Sequence, residues 1–579
     1  MNAERLLQHY EQIADEPDAI ARLRRFVLDL AVRGKLVPQD AKDEPASELL
    51  KRIAKEKARL VKAGAIRKPP TLQPIADAEA LYALPRTWAW VRVGEIFDYD
   101  AGTKRDPNEL DQSRWLLELE DIEKETSRIL ERLRVSDRDS QSNKSEFEPG
   151  DILYGKLRPY LNKVVVADEH GYSTTEIVAI RAFMPLCPEY CALAFRRPDF
   201  VAYVERLGQG TKMPRLRTPD AIIAPFPLPP LAEQHRIVAK VDELMGLCDR
   251  LEVARAGREG VRDRLAAASL ARLNAPDPET FHDDARFALD ALPALTTRPD
   301  QMKRLRHTIL NLAVRGMLVP QDASDEPALE LLKRIAKERA KLLKAGYPNP
   351  DEARTQIKKL AEQVVPEGLK ALPTGWAWAT LLQCSALVID CKNKTAPYAS
   401  SGIRLIRTTN VRDGRMNLND QKYVDQKTYE IWSARCTPEP GDILITREAP
   451  MGEVCLIPPG EQICLGQRMM LARLVPDSID RNFMIYSLRD PRLMDRVQDK
   501  PIGATVQHLR VGGVETLLVP VPPLAEQHRI VAKVEALMAL CDRLEASLTA
   551  TAATRRRLLD ALLAEALAPA VDRELEAAE

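Results

Sequence analysis

The chain repeats itself, and the repeat constrains its fold more than any other feature. Arg22–Gly64 (RLRRFVLDLAVRGKLVPQDAKDEPASELLKRIAKEKARLVKAG) returns without a gap as Arg304–Gly346 (RLRHTILNLAVRGMLVPQDASDEPALELLKRIAKERAKLLKAG), with about three quarters of the positions identical. Pro229–Glu252 (PPLAEQHRIVAKVDELMGLCDRLE) returns as Pro522–Glu545 (PPLAEQHRIVAKVEALMALCDRLE). Between these blocks LPRTWAW at Leu84–Trp90 matches LPTGWAW at Leu372–Trp378, and EPGDIL at Glu148–Leu153 matches Glu439–Leu444. Matches kept in one order exclude chance and indicate an internal duplication.

The order predicts five regions: a leading helical unit at 1–83, a variable region at 84–228, a central helical region at 229–371, a second variable region at 372–521 and a trailing helix at 522–579. In the centre a trailing block runs directly into a leading block. At the ends the same pair is split. If the split pair docks as the continuous pair does, the two ends meet and the molecule closes with pseudo-two-fold symmetry.

Each trailing block reads as a long helix. Ile237, Val241, Leu244, Cys248 and Leu251 alternate spacings of four and three, as do Ile530, Val534, Leu537, Cys541 and Leu544; this is a coiled-coil seam. The expectation is that the two copies pack on each other through it. The first helix, from Leu231 to about Ala271, spans roughly 60 Å, and Gly257 and Gly260 weaken its distal part. Pro225–Pro230 (PFPLPP) and Leu518–Pro523 (LVPVPP) read as stiff hinges into these helices.

The variable regions have another texture. Short β-branched runs such as Lys163–Ala167, Glu176–Ile180 and Gly402–Arg407 alternate with Gly-Asp and Pro-Gly turns, which predicts compact mixed α/β domains. The helical blocks kept their sequence and these domains did not, as expected of one frame displaying two different readers. Five of the six tryptophans, Trp88, Trp90, Trp115, Trp376 and Trp378, are expected in the core.

Composition excludes several classes. The 579 residues are 45% hydrophobic and 29% charged, enough for several globular domains. No stretch approaches a membrane span and no secretory segment opens the chain, so neither a membrane nor an exported protein is expected. Nine cysteines, without a C-x-x-C pair, read as reduced thiols in a cytoplasm. Lys plus Arg and Asp plus Glu both number 85, so any polyanion must be met by local patches.

The ordered set of PPLAEQHRIVAKV at Pro229–Val241 and Pro522–Val534, VRGKLVPQ at Val32–Gln39, VRGMLVPQ at Val314–Gln321 and the EPGDIL turns resembles the specificity subunit of type I restriction-modification systems. The resemblance covers essentially the whole chain. It implies a mixed α/β fold, with two globular target-recognition domains separated by long antiparallel coiled-coil helices. It also implies a non-catalytic subunit that reads a bipartite site on double-stranded DNA. Two methyltransferase subunits, and two restriction/translocase subunits in the full complex, are the implied partners. S-adenosylmethionine, and ATP with Mg, are expected on those partners, with no cofactor on this chain. The full leading unit before the first recognition domain departs from the commoner layout.

The residues agree with that implication. There is no G-x-x-x-x-G-K-[ST] loop for ATP, no D/N-P-P-Y/F tetrapeptide, and no Gly-rich turn suited to S-adenosylmethionine. The histidines do not cluster as metal ligands. His235 and His528 read as capping or packing residues, and Glu118–Asp121 as an acidic surface element. No catalytic residue and no metal site are assigned.

Contacts to DNA need cationic and amide side chains on phosphates and base edges. In the first variable region the candidates are Lys156, Arg158, Tyr160 and Lys163, then Thr211, Lys212, Arg215 and Arg217. In the second they are Arg407, Thr409, Asn410, Arg412 and Arg447, then Thr505, Gln507, His508 and Arg510. The alternative for each cluster is an ordinary solvated loop. Two other functions stay open, a stand-alone site-specific DNA-binding regulator and a protein-binding helical scaffold. Four nearly identical helical blocks suit an organiser of two identical partners better than a regulator.

Overall fold

A computed structural model describes residues 16–567, except 77–78, 140, 208–212, 276, 278, 297, 491 and 499–507. The chain divides into two compact units, Met1–Arg258 with Ala552–Glu579, and Glu259–Thr551. The helices used below are α1 (Ala19–Val32), α2 (Ala46–Lys62), α3 (Pro188–Phe195), α4 (Leu231–Asn274), α5 (Pro299–Val314), α6 (Ala328–Lys344), α7 (Pro350–Ala361), α8 (Arg481–Leu488) and α9 (Leu524–Leu567). Both α4 and α9 have 44 residues, so each is about 66 Å long at 1.5 Å per residue. Helix α4 runs through Gly257 and Gly260 without a break. Each long helix begins in one unit and ends in the other.

In the first unit an antiparallel four-stranded sheet has the order Phe97–Tyr99, Ile177–Ala182, Ile152–Gly155, Val164–Val166. A mixed five-stranded sheet, with Trp115–Leu117 and Gly171–Thr174 parallel within it, forms a second layer. Phe97, Phe195, Phe200 and Phe226 are all buried in the aromatic core beneath α3. The second unit keeps the four-stranded order as Ser385–Asp390, Met469–Leu474, Ile443–Thr446, Val454–Leu456. Its second layer differs: a three-stranded sheet of Tyr423–Val424, Ile403–Ile406 and Ile463–Leu465, and a hairpin of Val411–Arg412 with Arg415–Met416. It also carries α7, for which the described residues between α2 and Ala89 have no helical counterpart.

The EPGDIL turns are structural in both units. Gly150 and Gly441 sit at φ +87° and +90°, a region that glycine enters without steric cost. The buried Asp151 accepts the Glu148 N–H at 2.9 Å and both Arg181 Nε and Nη2 at 2.7 Å. The buried Asp442 accepts Glu439 N–H at 2.8 Å, Arg473 Nε at 2.8 Å and Nη2 at 2.6 Å. A buried carboxylate is tolerable only when paired and hydrogen-bonded in this way.

The proline runs are not hinges throughout. Pro225–Leu228 is a strand paired antiparallel with Ala89–Arg92, and Leu518–Val521 pairs likewise with Ala377–Thr380, so that Trp90 faces Pro227 and Trp378 faces Pro520. Alternate residues of an edge strand point their N–H groups away from the ladder, and a proline there forfeits no hydrogen bond. Only the Pro-Pro pairs that follow hand over to α4 and α9.

The seams also close on an unexpected partner. Ile237 and Val241 are buried in a cluster with Val27, Leu28 and Ala31 of α1, and Cys248 lies with Ile20 and Leu23. In the second unit Ile530, Val534 and Cys541 are buried against Met302, Ile309 and Leu310 of α5. Leu244, Leu251, Leu537 and Leu544 are half-buried at the edges of these clusters. Within each unit the seam meets the leading helix, which the spacing did not predict, and in the first unit Leu563 of α9 joins the cluster of Cys248 and Leu251. A four-three apolar stripe specifies a helical neighbour without specifying which one.

The split pair does dock. In the first unit Leu559 of α9 is fully buried against Ala19, and Phe26 and Leu30 pack on Ala566 and Leu567. Arg22 pairs with Asp560, and Lys35 Nζ donates to the Leu567 carbonyl at 2.7 Å. In the second unit α5 meets the distal part of α4: Arg298 pairs with Glu259 and Asp263, and Asn274 bonds Thr308 and Asn311.

Candidate nucleic-acid interface

Each α/β domain is clipped to its frame by the same side chains. Glu233, fully buried in the first turn of α4, accepts Trp88 Nε1–H at 2.9 Å and Gln39 Nε2–H at 2.6 Å. Glu526 of α9 accepts Trp376 Nε1–H at 3.0 Å and Gln321 Nε2–H at 3.1 Å. The next residue reaches the domain: Gln234 accepts the Cys187 N–H at 3.0 Å ahead of α3, and Gln527 the Asp480 N–H at 2.8 Å ahead of α8. Arg236 pairs with Asp43 at 2.6 Å, and Arg529 with Asp325 at 2.8 Å. The PPLAEQHR, W-A-W and V-P-Q-D matches in the sequence are therefore the two sides of one joint. Burial raises the pKa of Glu233 and Glu526, against the lowering pull of their Trp and Gln donors. His235 and His528 are exposed, neither packed nor capping; His528 Nε2 lies 3.8 Å from Asp480 Oδ2.

The domains so held place the candidate DNA-contacting residues unequally. In the first, Arg158 and Tyr160 are exposed on the turn that follows Ile152–Gly155, and Lys156 is half-buried beside them. Lys163 instead spends its ammonium on the Leu119 carbonyl at 2.6 Å. Arg215 is held by Glu176 through two 3.0 Å bonds and Arg217 by Asp220 at 2.7 Å. Thr211 and Lys212 lie outside the described residues.

In the second domain Thr409 and Arg510 are exposed and His508 is half-buried. Asn410 is buried and builds its own loop, accepting Arg407 N–H at 3.0 Å and donating to the Asn417 carbonyl at 2.9 Å. Arg407 pairs with Asp420 at 2.6 Å, Arg412 donates to the Thr408 carbonyl at 2.6 Å, and Arg447 joins Asp390 and the Leu509 carbonyl at 2.9 and 3.0 Å. Thr505 and Gln507 lie outside the described residues. Arg158, Tyr160, Thr409 and Arg510 are thus the exposed candidates with no side-chain partner among the described residues; the half-buried Lys156 and His508 have none either. Trp88, Trp115 and Trp376 are buried, while Trp90 and Trp378 are half-buried and donate to the Tyr82 and Lys370 carbonyls.

Residues 390–552 match a family model described as the type I restriction modification DNA specificity domain. Over 560 residues the chain is 31% identical to the type I restriction enzyme EcoAI specificity subunit of Escherichia coli, covering 94% of this chain and 93% of that protein. The chain belongs to the type I restriction enzyme specificity subunits. The EcoEI specificity subunit of Escherichia coli is 29% identical, with 95% and 94% covered. A crystal structure of an HsdS subunit from Thermoanaerobacter tengcongensis is similar at 21% identity and a TM-score of 0.42, with 84% of this chain and 98% of that one covered.

As a specificity subunit, the protein is the non-catalytic DNA-recognition member of its system. Among the described residues no group of three or more His, Cys, Asp or Glu is placed to hold a metal ion, and no helix is long and apolar enough to cross a membrane. The residues that sequence reasoning missed are the joint formers Glu233, Gln234, Glu526 and Gln527. Their signal was present, because both sides of each hydrogen bond recur in both copies.

Proposed function

We propose that this specificity subunit reads a bipartite double-stranded DNA site, one half through each α/β domain, and that its helical frame holds the catalytic subunits. The observation that carries this reading is the pairing of a repeated joint with unlike second layers. Glu233–Trp88 and Glu526–Trp376 fix both domains by one geometry, while the sheets beyond that joint differ in strand number and order. Two unlike surfaces on one repeated mount read two unlike sequences.

The repeated polar faces of the frame then offer equivalent sites to two methyltransferase subunits, and in the restricting complex to two restriction/translocase subunits. S-adenosylmethionine, and ATP with Mg, belong to those partners. The nine free, buried cysteines accord with a reducing cytoplasm.

Exchanging residues 372–521 for the corresponding region of another specificity subunit tests the reading. A methylation map with the partner methyltransferase should show one half-site changed and the other retained. A change in both half-sites would contradict it. The purified chain, given labelled S-adenosylmethionine and target DNA without partners, should transfer no methyl group.

A further inference from the structure

The second unit contains a cleft of about 860 Å³ between α5, the end of α8 and the Val411–Met416 hairpin. Lys303 and His307 enter it from α5, Arg489 from the end of α8, and Arg412 and Arg415 from the hairpin. Asp413, Glu535 and Asp542 also line it. Two of these carboxylates have partners: Asp542 takes Arg306 at 2.6 Å, and Glu535 accepts from Asn482 Nδ2 at 3.4 Å.

Arg489 is the unusual member. Its guanidinium lies flat over Gly414, where an added Cβ would come within 2.8 Å of its Cδ, Nε and Nη1. Among the described residues that guanidinium has no hydrogen-bond or ion-pair partner. Burial pulls its pKa down, opposed by Asp413 and Glu453. Burial, then Lys303 and Arg489, lower the pKa of His307, opposed by Asp413; in the lining Lys303, Arg306, Arg412, Arg415 and Arg489 outnumber Asp413, Glu535 and Asp542.

The first unit shows what this position needs. Arg196 follows α3 as Arg489 follows α8, and both N–H groups cap their helix by the same pattern. Its Nη2 donates to the Glu125 and Thr126 carbonyls at 3.1 and 3.0 Å, while Arg25 pairs with Glu125 at 3.3 Å. The turn that supplies these partners runs between Ile122 and Ile129. Its counterpart between Val411 and Met416 is shorter, turning at Asp413 and Gly414 with φ +49° and +79°. One unit fills the site with its own chain and the other leaves it open.

A half-buried cation without a partner keeps its charge available to a ligand, and a fork of planar guanidinium groups matches the oxygens of a phosphate. We propose that this cleft binds a phosphate group, with Arg489 as the inner donor and Arg415, Lys303 and His307 around it. The phosphate is either one of the DNA backbone or that of a soluble phosphate compound. The proposal rests on the chemistry of the cleft and not on bipartite reading.

Calorimetric titration of the full-length chain with inorganic pyrophosphate is the test. The wild type should saturate at one site, and Arg489→Gln should weaken binding by about tenfold, the loss of one charge-assisted contact. Should that variant fail to fold, Lys303→Gln with Arg415→Gln, both at exposed positions, serves in its place and should also weaken binding. No saturable binding by the wild type, or binding by the folded variants equal to it, overturns the proposal. Duplex binding over a salt series then separates the sources. A slope reduced by about 1 in Arg489→Gln identifies the DNA backbone, and unchanged duplex binding with lost pyrophosphate binding identifies a soluble compound. An error in the bipartite reading appears in the methylation map and leaves the pyrophosphate titration unchanged.

Discussion

The leading helix meets a distal trailing segment twice, once with the chain continuous between them and once with it split. In the second unit α5 and the end of α4 belong to one continuous stretch, and their contact is polar: Asn274, Thr308 and Asn311, with Arg298 on Glu259 and Asp263. In the first unit α1 and the end of α9 come from opposite ends of the chain, and the positions matching Asn274 and Thr308 are the apolar Leu567 and Phe26, with Leu30, Leu559 and Ala19 beside them. Register is retained while chemistry changes. A tethered contact pays little entropy to form, whereas the split one must overcome loop closure over the whole chain and does so by burying hydrocarbon.

The largest effect should come from breaking the split contact. Leu559→Asp places an unpaired charge at a fully buried position and should cost about 3–5 kcal/mol. Ala266→Asp, at the matching place on α4 and half-buried, should cost under about 1 kcal/mol. Urea unfolding of both variants checks the contrast, and equal costs would remove it.

Truncating the contacts sharpens the same difference. Phe26→Ala should cost about 3 kcal/mol through the cavity it leaves. Asn274→Ala deprives Thr308 and Asn311 of a partner and should cost about 1–2 kcal/mol. The domain joints, by contrast, should behave alike. Glu233→Ala leaves Trp88 and Gln39 without an acceptor, and Glu526→Ala leaves Trp376 without one while Gln321 keeps the Gly316 carbonyl; each should cost about 2 kcal/mol, with denaturation midpoints moving together.

The smallest effect is on pH dependence. Burial raises the pKa of both glutamates above their ordinary 4.5. The folded state therefore favours the protonated form. That contribution is fully present below pH 4.5 and is lost as pH rises through the raised value. Glu233→Gln and Glu526→Gln should flatten this fall in stability between mildly acidic and neutral pH.

Much of this was legible in the sequence, and unevenly so. The α/β domains, the long helices and the family could be read because whole blocks recur. The meeting of the ends followed from block order alone. Its contacts did not, because Leu559 and Ala266 occupy matching helix positions without resembling each other, and the distal halves of α4 and α9 share little sequence. The leading helix's place on the seam was missed because Ile237 and Ile530 show an apolar stripe and not its neighbour. Among the DNA candidates, Lys163 and Arg447 looked free because their partners, Leu119 and Asp390, lie 44 and 57 residues away. Arg489 was missed for the opposite reason: it is isolated in sequence and joins Lys303 and Arg412 only in the fold.

The central claim is that α1 and the end of α9 form by packing alone the joint that α4 and α5 form with the chain continuous between them. A circular permutant tests it most directly, with the ends joined by a flexible linker and new ends opened between residues 275 and 298. The account predicts a permutant that unfolds cooperatively and binds the same DNA as the native order, and that is stabilised further when Asn274 and Thr308 are exchanged for leucine and phenylalanine. A permutant opened there that fails to fold, while the native order folds under the same conditions, would contradict it.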